Sequence, residues 1–423
     1  MIATREPGRS RLRQELPREA EPPRLLGSLA RWLWLGVGVL ALLLFFSLAS
    51  DDWFTIVNYC LIAAIATLAL NLLSGYTGQI SLGLAFFMGL GGYTAALLGG
   101  NPPAGPLDPW GLGLPVFIWL PAAGLVAALV GALIGPSALR LRGFYLGIVT
   151  LALVFIGNYL FRNLSFITGG PQGRNFPVPA FGGFSLDQQN SILGVALTSG
   201  QQYFLLILVV LLLSALFVYN LSRSRVGRAM RAVRDHEVGA AIMGVNLFEV
   251  KMGAFVLSSF LAGVAGALYV SYARYVIPDY WSLSLSIQFV AAIIIGGIAD
   301  VWGSILGAAF VFALPQVIDY FSLLPPSTGG GGLSSGDLNA LLYGLLIIVF
   351  LLFEPGGVIG LVRRLRPAGP RPQTLGTSAG AGAGAGAGAE TAKEGGESIE
   401  VVDLQQHVPG PGEERGSGGT GAS

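Results

Sequence analysis

Two kinds of residue in this chain are patterned in a way that could do chemistry: arginines gathered between Ser222 and Asn246, and uncharged glycine-rich strings between long apolar runs. In SRSRVGRAMRAVRDHEVGAAIMGVN, Arg223, Arg225, Arg228, Arg231 and Arg234 have only Asp235 and Glu237 against them. Their chemistry is charge and hydrogen bonding, not bond making. An excess of arginine between two membrane-grade segments marks a cytoplasmic loop. Val226, Met230 and Val233 recur at i, i+4 and i+7, with Arg228, Arg231 and Asp235 on the other side. That spacing predicts a short amphipathic helix ended by Gly244. Taken alone, such a loop is a topology determinant.

No catalytic constellation accompanies it. The chain has no G-x-x-x-x-G-K-[ST], no H-E-x-x-H and no G-x-S-x-G at a nucleophile elbow. Cys60 is the only cysteine, so there is neither an intrachain disulfide nor a thiol metal site, and His236 and His407 lack a ligand set. A hydrophobic fraction of 53%, only 11% charged residues and a mean hydropathy of +0.67 exclude an ordinary soluble domain. The arginines are dealt to loops and tails, not to one basic face, so no nucleic-acid partner is expected.

The elements that must position these residues are ten apolar runs: 32–49, 54–73, 84–98, 116–134, 144–161, 203–219, 247–270, 283–298, 305–320 and 338–353. An all-α polytopic membrane protein with a transmembrane domain over 32–365 follows, its polar loop at 221–247. The run at 283–298 is short enough to be a tilted span or half a span. Ser47-Leu48-Ala49 resembles a signal-peptidase site, but the charged leader is long and the first run is read as a retained span. Residues 1–31 and 366–423, the latter with AGAGAGAGAGA, are predicted to be disordered. With ten spans and both termini inside, the inside segments hold 19 of the 22 arginines, leaving Arg162, Arg174 and Arg274 elsewhere. The aromatic segment 271–285, with Tyr272, Tyr275, Tyr280 and Trp281, is expected at a membrane interface.

Gly75, Gly78, Gln79 and Ser81 lie in SGYTGQISLG, directly between two runs, and Gly296-Gly297 closes the eighth run. Uncharged glycine-rich backbone at that depth must be buried in protein or line a watery cavity. Close helix packing through small residues explains it equally well. TGGPQG at 168–173 reads on its own as a turn.

The ordered string G-R-A-x-x-A-x-R-D-x-E-x-A-A-x-x-G-x-N over 227–246 resembles the cytoplasmic coupling loop of ABC-importer permeases of the branched-chain amino acid family. Lys251-x-x-Ala254-Phe255-x-x-Ser258 and the following small residues continue it, as do S-G-Y-x-G-Q-x-S-L-G, RLRGFYLGIVTL, TGGPQG and G-G-x-x-D-x-W-G-S. The fifth-run string and TGGPQG point to the LivM-type subunit. The resemblance implies a type II-like importer permease fold in a bacterial or archaeal cytoplasmic (inner) membrane. It implies a LivH-type second permease, two ATPases (LivG- and LivF-type) that hold ATP and Mg, and an extracytoplasmic solute-binding protein. The chain itself would carry no cofactor or metal and would not be an enzyme. Arg225, Gly227, Arg228, Arg231, Arg234, Asp235, Glu237, Ala240 and Gly244 would then couple it to the ATPase. Gly75, Gly78, Gln79, Ser81, Leu84, Phe155, Gly296 and Gly297 would lie near the translocation path. Leu84 and Phe155 stand where the family pattern usually has histidine and glutamate, in two spans that could approach each other. The implied solute is a branched-chain or other small hydrophobic amino acid, with urea or short amides as rivals. A secondary transporter is the competing class, but such proteins often carry ionisable residues inside their spans, and these runs hold almost none.

Overall fold

The structure, a computed structural model, describes residues 50–102, 110–138, 144–177, 179–181, 184–185, 190–192 and 195–320, with single positions at 46, 341, 344, 345 and 348. Apart from those positions, the first and tenth apolar runs and both terminal segments lie outside the described residues, as do Arg140 and Arg142. Within them the helices are α1 (Asp51–Leu70), α2 (Leu84–Gly99), α3 (Val116–Ala138), α4 (Phe144–Asn163), α5 (Ser199–Arg223), α6 (Arg225–Asp235), α7 (Glu237–Ile242), α8 (Leu247–Ala273), α9 (Leu283–Gly296) and α10 (Val301–Tyr320). A π-helical stretch, Asn71–Tyr76, prolongs α1.

Among the described residues, five helices are long and apolar enough to cross a membrane: Asp51–Tyr76, Val116–Pro136, Tyr145–Asn163, Ser199–Arg223 and Leu247–Ala273. Helix formation here follows from composition, because backbone groups removed from water must bond within their own segment. Polar residues start and stop the helices. The Asn246 side chain accepts from the amides of Phe248 and Glu249 at 3.1 and 3.4 Å to open α8, and the Gln201 carbonyl oxygen accepts from the Thr198 amide at 3.0 Å where α5 begins. The 14 residues of α9 reach only about 21 Å, against the ~30 Å of a hydrocarbon core.

Helices α1 and α8 form the centre, and α2 packs between α8 and the rest. The α2–α8 crossing depends on glycine: a Cβ on Gly91 would strike the Gly263 carbonyl, and one on Gly266 the Met88 carbonyl. Without a strong hydrophobic drive between helices in lipid, close backbone approach of this kind supplies the packing energy. Helices α3, α4 and α5 turn apolar side chains outward, among them Phe117, Leu129, Leu133, Tyr159 and Leu213.

Contacts sort the connections to two ends of the bundle. At one end Arg234 reaches Gly75, Asn71 reaches Asp300, and Gly135 abuts Met252. At the other the Thr198 hydroxyl donates to Asp51 at 3.0 Å, while Arg174 donates to the carbonyls of Trp110 and Ile167 at 2.9 and 2.8 Å. Burial pushes the Arg174 guanidinium below its ordinary pKa, an effect opposed by the nearby Tyr93 phenol. This is the alternation that the arginine distribution requires. All-α is nearly right. Short antiparallel pairs, Arg174–Asn175 with Tyr275–Val276, Ala180–Phe181 with Phe184–Ser185, and Asn190–Ile192 with Val195–Leu197, satisfy backbone in the long connection before α5.

Trp281 corrects the expectation for 271–285. It is 1% exposed, and its ring fills the space left by Gly89 and Gly92 on α2, so the chain dips into the bundle before α9 starts. Single cysteines introduced at Val238 and Gln172 in a Cys60→Ser background are expected to react with a membrane-impermeant thiol reagent from opposite sides only. Reaction of both from one side would break the alternation.

Candidate coupling element and translocation path

The arginine-rich loop folds as two short helices, not one. Ser224 caps α6, its hydroxyl accepting from the Gly227 amide at 3.2 Å, and the extended backbone of His236 (φ −153°) separates α6 from α7. Gly244, at φ +83°, ends α7 instead, with the Val245 amide donating back to Ala240 at 3.0 Å. The buried stripe is Gly227, Met230, Val233 and Ala240, while Val226, expected on it, is 47% exposed. A helix seated against the bundle through residues spaced at i, i+3 and i+6 turns Val226 to its flank. A Cβ at Gly227 would collide with the Leu221 carbonyl, so glycine permits the sharp turn from α5 into α6.

The arginines divide their work. Arg231 donates to the Ser222 carbonyl at 3.0 Å and Arg228 to the Arg223 carbonyl at 3.2 Å, both holding the α5–α6 corner. Arg225 and Asp235 are exposed. Arg234 reaches inward, its Nη1 donating to the Gly75 carbonyl at 2.8 Å while its stem packs on Gly78. Gly78 holds φ +70°, and a Cβ there would sit 3.2 Å from Arg234 Cγ. Glu237 on α7 is paired with Lys251 on α8, and the Lys251 carbonyl accepts from Gln79 Nε2 at 3.3 Å. The loop read as coupling and the string read as path are thus in direct contact.

Asn71 joins them to a third segment. It opens the π-helical stretch, is fully buried, and its Nδ2 donates to the Asp300 carbonyl at 3.0 Å and Ser304 Oγ at 2.6 Å. Its Oδ1 accepts from the Ala299 amide at 2.9 Å. One side chain thereby fastens the end of α1 to the turn between α9 and α10. Gly296 and Gly303 meet there at backbone distance, and the turn includes Gly297 at φ +116° and Ala299 at φ +62°. The sequence boundary at Leu73 therefore needs correction: Ser74, Gly75, Tyr76 and Thr77 still belong to the helix, and the loop proper is 78–83. Ser81 is buried and its Oγ accepts from the Gly83 amide at 3.3 Å.

Leu84 and Phe155 are not brought face to face. Leu84 is 3% exposed within the core, whereas Phe155 is 59% exposed on the outer side of α4, alongside Ile148, Ile156 and Tyr159. Helix α4 buries Leu146, Thr150, Leu153, Val154 and Phe161 instead, a stripe that leaves position 155 outside. An ion pair between positions 84 and 155 has no place inside this chain.

Residues that sequence reasoning passed over are as informative. Val238, Ile242 and Met243 are 71%, 81% and 86% exposed around α7 and its end, and Phe248 follows at 51%. An amphipathic pattern points to one buried face, and α7 is too short to announce a second. Among the described residues no three His, Cys, Asp or Glu side chains are grouped as a metal would need. Replacing Asn71 with leucine removes the acceptor of the Ala299 amide, while the Asp300 carbonyl keeps Ser304, and is expected to cost about 1–3 kcal/mol. Thermal unfolding of the purified protein measures this, and an unaltered midpoint would remove Asn71 as the fastener.

The geometry meets an independent line of evidence. The family described as "Branched-chain amino acid transport system / permease component" matches residues 53–351. "High-affinity branched-chain amino acid transport system permease protein LivM" of Salmonella typhimurium is 31% identical over 321 residues, covering 73% of this chain and 70% of that protein; the Escherichia coli K12 protein of the same name matches to the same extent. A "Probable branched-chain amino acid transport permease protein LivM" of Methanocaldococcus jannaschii is 24% identical over 68% of this chain and 83% of its own. No solved structure gives a significant match. The chain belongs to the permease-component family of branched-chain amino acid transport systems.

Proposed function

We propose that the chain is the LivM-type membrane subunit of an ATP-driven importer, carrying branched-chain or other small hydrophobic amino acids across a bacterial or archaeal cytoplasmic membrane in ten spans with both termini inside. A LivH-type permease completes the membrane part, LivG- and LivF-type ATPases bind ATP and Mg, and a solute-binding protein delivers the solute from outside. The LivM name of the relatives supports the substrate class. The observation that supports the coupling role is the surface of α6 and α7: Val238, Ile242 and Met243 are exposed on α7 and its end, and Arg225, Arg228 and Asp235 are exposed on α6. Exposed apolar knobs rimmed by charge are what a docking face requires.

In this reading the ATPase moves α6 and α7 as a unit. Arg234 carries the displacement to the Gly75 carbonyl, and Glu237 carries it to Lys251 and so to α8. Asn71 passes it on to the α9–α10 turn, where Gly296 and Gly297 border the path. Gly78, Gln79 and Ser81 line the same end, with Leu84 as an apolar wall and Phe155 turned toward the lipid or the second permease. No residue of this chain makes or breaks a bond. The chain's task is to convert motion at one end of the bundle into access at the other.

Three tests follow from this reading. Replacing Ile242 and Met243 with aspartate is expected to abolish solute-stimulated ATP hydrolysis while membrane insertion persists; normal stimulation would sink the docking face. Arg228→Ala with Asp235→Ala, or leucine at Gly244, is expected to uncouple likewise, the last because φ +83° costs a non-glycine residue about 1–3 kcal/mol. Uptake by the reconstituted complex should favour leucine, isoleucine and valine over urea and short amides. The reverse preference would keep the architecture and discard the substrate.

A further inference from the structure

Two cavities share one face of α1. At the end away from the coupling element, a polar hollow of about 410 Å³ is bounded by Asp51, Thr55, Tyr59, Ser199, Tyr272 and Arg274. Deeper in the bundle, a second cavity of about 260 Å³ is walled by Ile62, Met88, Leu285, Phe289 and Phe312, with Tyr59, Tyr269, Gln288 and Gln316 on its margin. Asp51, Thr55, Tyr59, Ile62 and Ala63 succeed one another along a single helical face, so the two spaces lie in line over about 18 Å of α1. Tyr59 belongs to both. Its ring lies 5.1 Å from Tyr272 and 5.6 Å from Tyr269, forming an aromatic partition between them.

The geometry points to a two-chamber route for a zwitterionic solute with an aliphatic side chain, with Tyr59 as the partition between a charged vestibule and an apolar chamber. Asp51 offers a carboxylate for an ammonium group, and Arg274 a guanidinium for a carboxylate. Neither the Gln288 nor the Gln316 amide has a hydrogen-bond partner among the described residues. Both side chains are half-buried, so their amides are open to a solute in the cavity. An amide both donates and accepts, so two of them can hold an ammonium and a carboxylate without adding a charge to the membrane interior. A volume of about 260 Å³ is far above the ~10–15 Å³ that one water needs, so the chamber has room for a small solute. The inference rests on the import function proposed above and adds the place where the solute is held.

The test uses the complete importer with its partner subunits and binding protein. If the wild-type complex takes up no aliphatic amino acid, the proposed function fails before the cavity is in question. Where it does, Gln288→Leu and Gln316→Leu, close in size to the native residue, are expected to lower maximal leucine uptake roughly tenfold or more with ATP hydrolysis retained. Ala63→Phe, which fills the chamber, should do the same. Uptake unchanged in both glutamine variants overturns the proposal. Loss of the second permease subunit on purification would also overturn it, by assigning the cavity to the subunit interface. As a readout independent of turnover, leucine should slow thiol modification of Leu285→Cys in a Cys60→Ser background, and urea should not. Equal modification rates with and without leucine would overturn it as well.

Discussion

An α-helix that ends inside a packed bundle leaves carbonyl oxygens with no water to bond, and the way α1 meets that constraint organises the rest of this protein. At Asn71 the helix loosens into a π-helical stretch, and its terminal groups are taken up by other segments: Gly75 by Arg234, and the neighbouring turn by Asn71 itself. Each partner lies more than 150 positions away in the chain. The need to satisfy one helix end thus locks together the α6 helix, the α9–α10 turn and the glycine string. A guanidinium on a carbonyl is a charge-assisted bond worth about 1.5–3 kcal/mol, and it joins α6 to the end of α1.

Glycine and charge divide the remaining design between them. Wherever backbones approach closely, at Gly91 with Gly263 or Gly296 with Gly303, a side chain is excluded by contact with a carbonyl. Charge, in contrast, is kept to the two ends. Among the described residues the apolar helices carry their Asp, Glu, Lys and Arg side chains at or near their termini, so what polarity exists at depth comes from Asn58, Asn71 and hydroxyls, with Gln288 and Gln316 half-buried. Uncharged polar groups can be paired at much lower desolvation cost than ions.

Much of this was legible in the sequence because its signals are local. Long apolar runs give candidate spans by length, arginine asymmetry predicts their alternation, and the contacts group the described connections at two bundle ends. Gly78 and Gly244 could be read as special positions, and both hold positive φ. What was not legible depends on the partner surface. Val226 and Met230 share a stripe by periodicity, yet only Met230 is buried, because the bundle touches a narrower arc of α6 than the pattern allows. Leu84 and Phe155 looked like a coupled pair because both depart from one pattern, and only the rotation of α4 shows Phe155 turned outward. Asn71 carried no signal: a lone asparagine in an apolar run has no periodicity, and its three partners are all distant in sequence.

Helix α1 also explains why the two functional ends of the bundle need not touch in order to communicate. Its outward half, from Asp51 to Ala63, lines both cavities, and its inward end is held by Asn71 and Gly75. From Phe54 to Gly75 the helix is buried on nearly every side, packed against α8, α10 and α5. Interiors at crystal-like density do not deform smoothly, so a pull on Gly75 cannot be absorbed by bending α1 locally. From Asp51 to Tyr76 the helix is about 39 Å long, and Tyr59 stands on its outward half. Tyr59 meets Tyr269 and Tyr272 on α8 edge-on or tilted, a geometry in which a small axial displacement separates rings that otherwise close the way between the two chambers. In the coupling proposed above, a force applied through Arg234 would reach the partition along the helix that lines it.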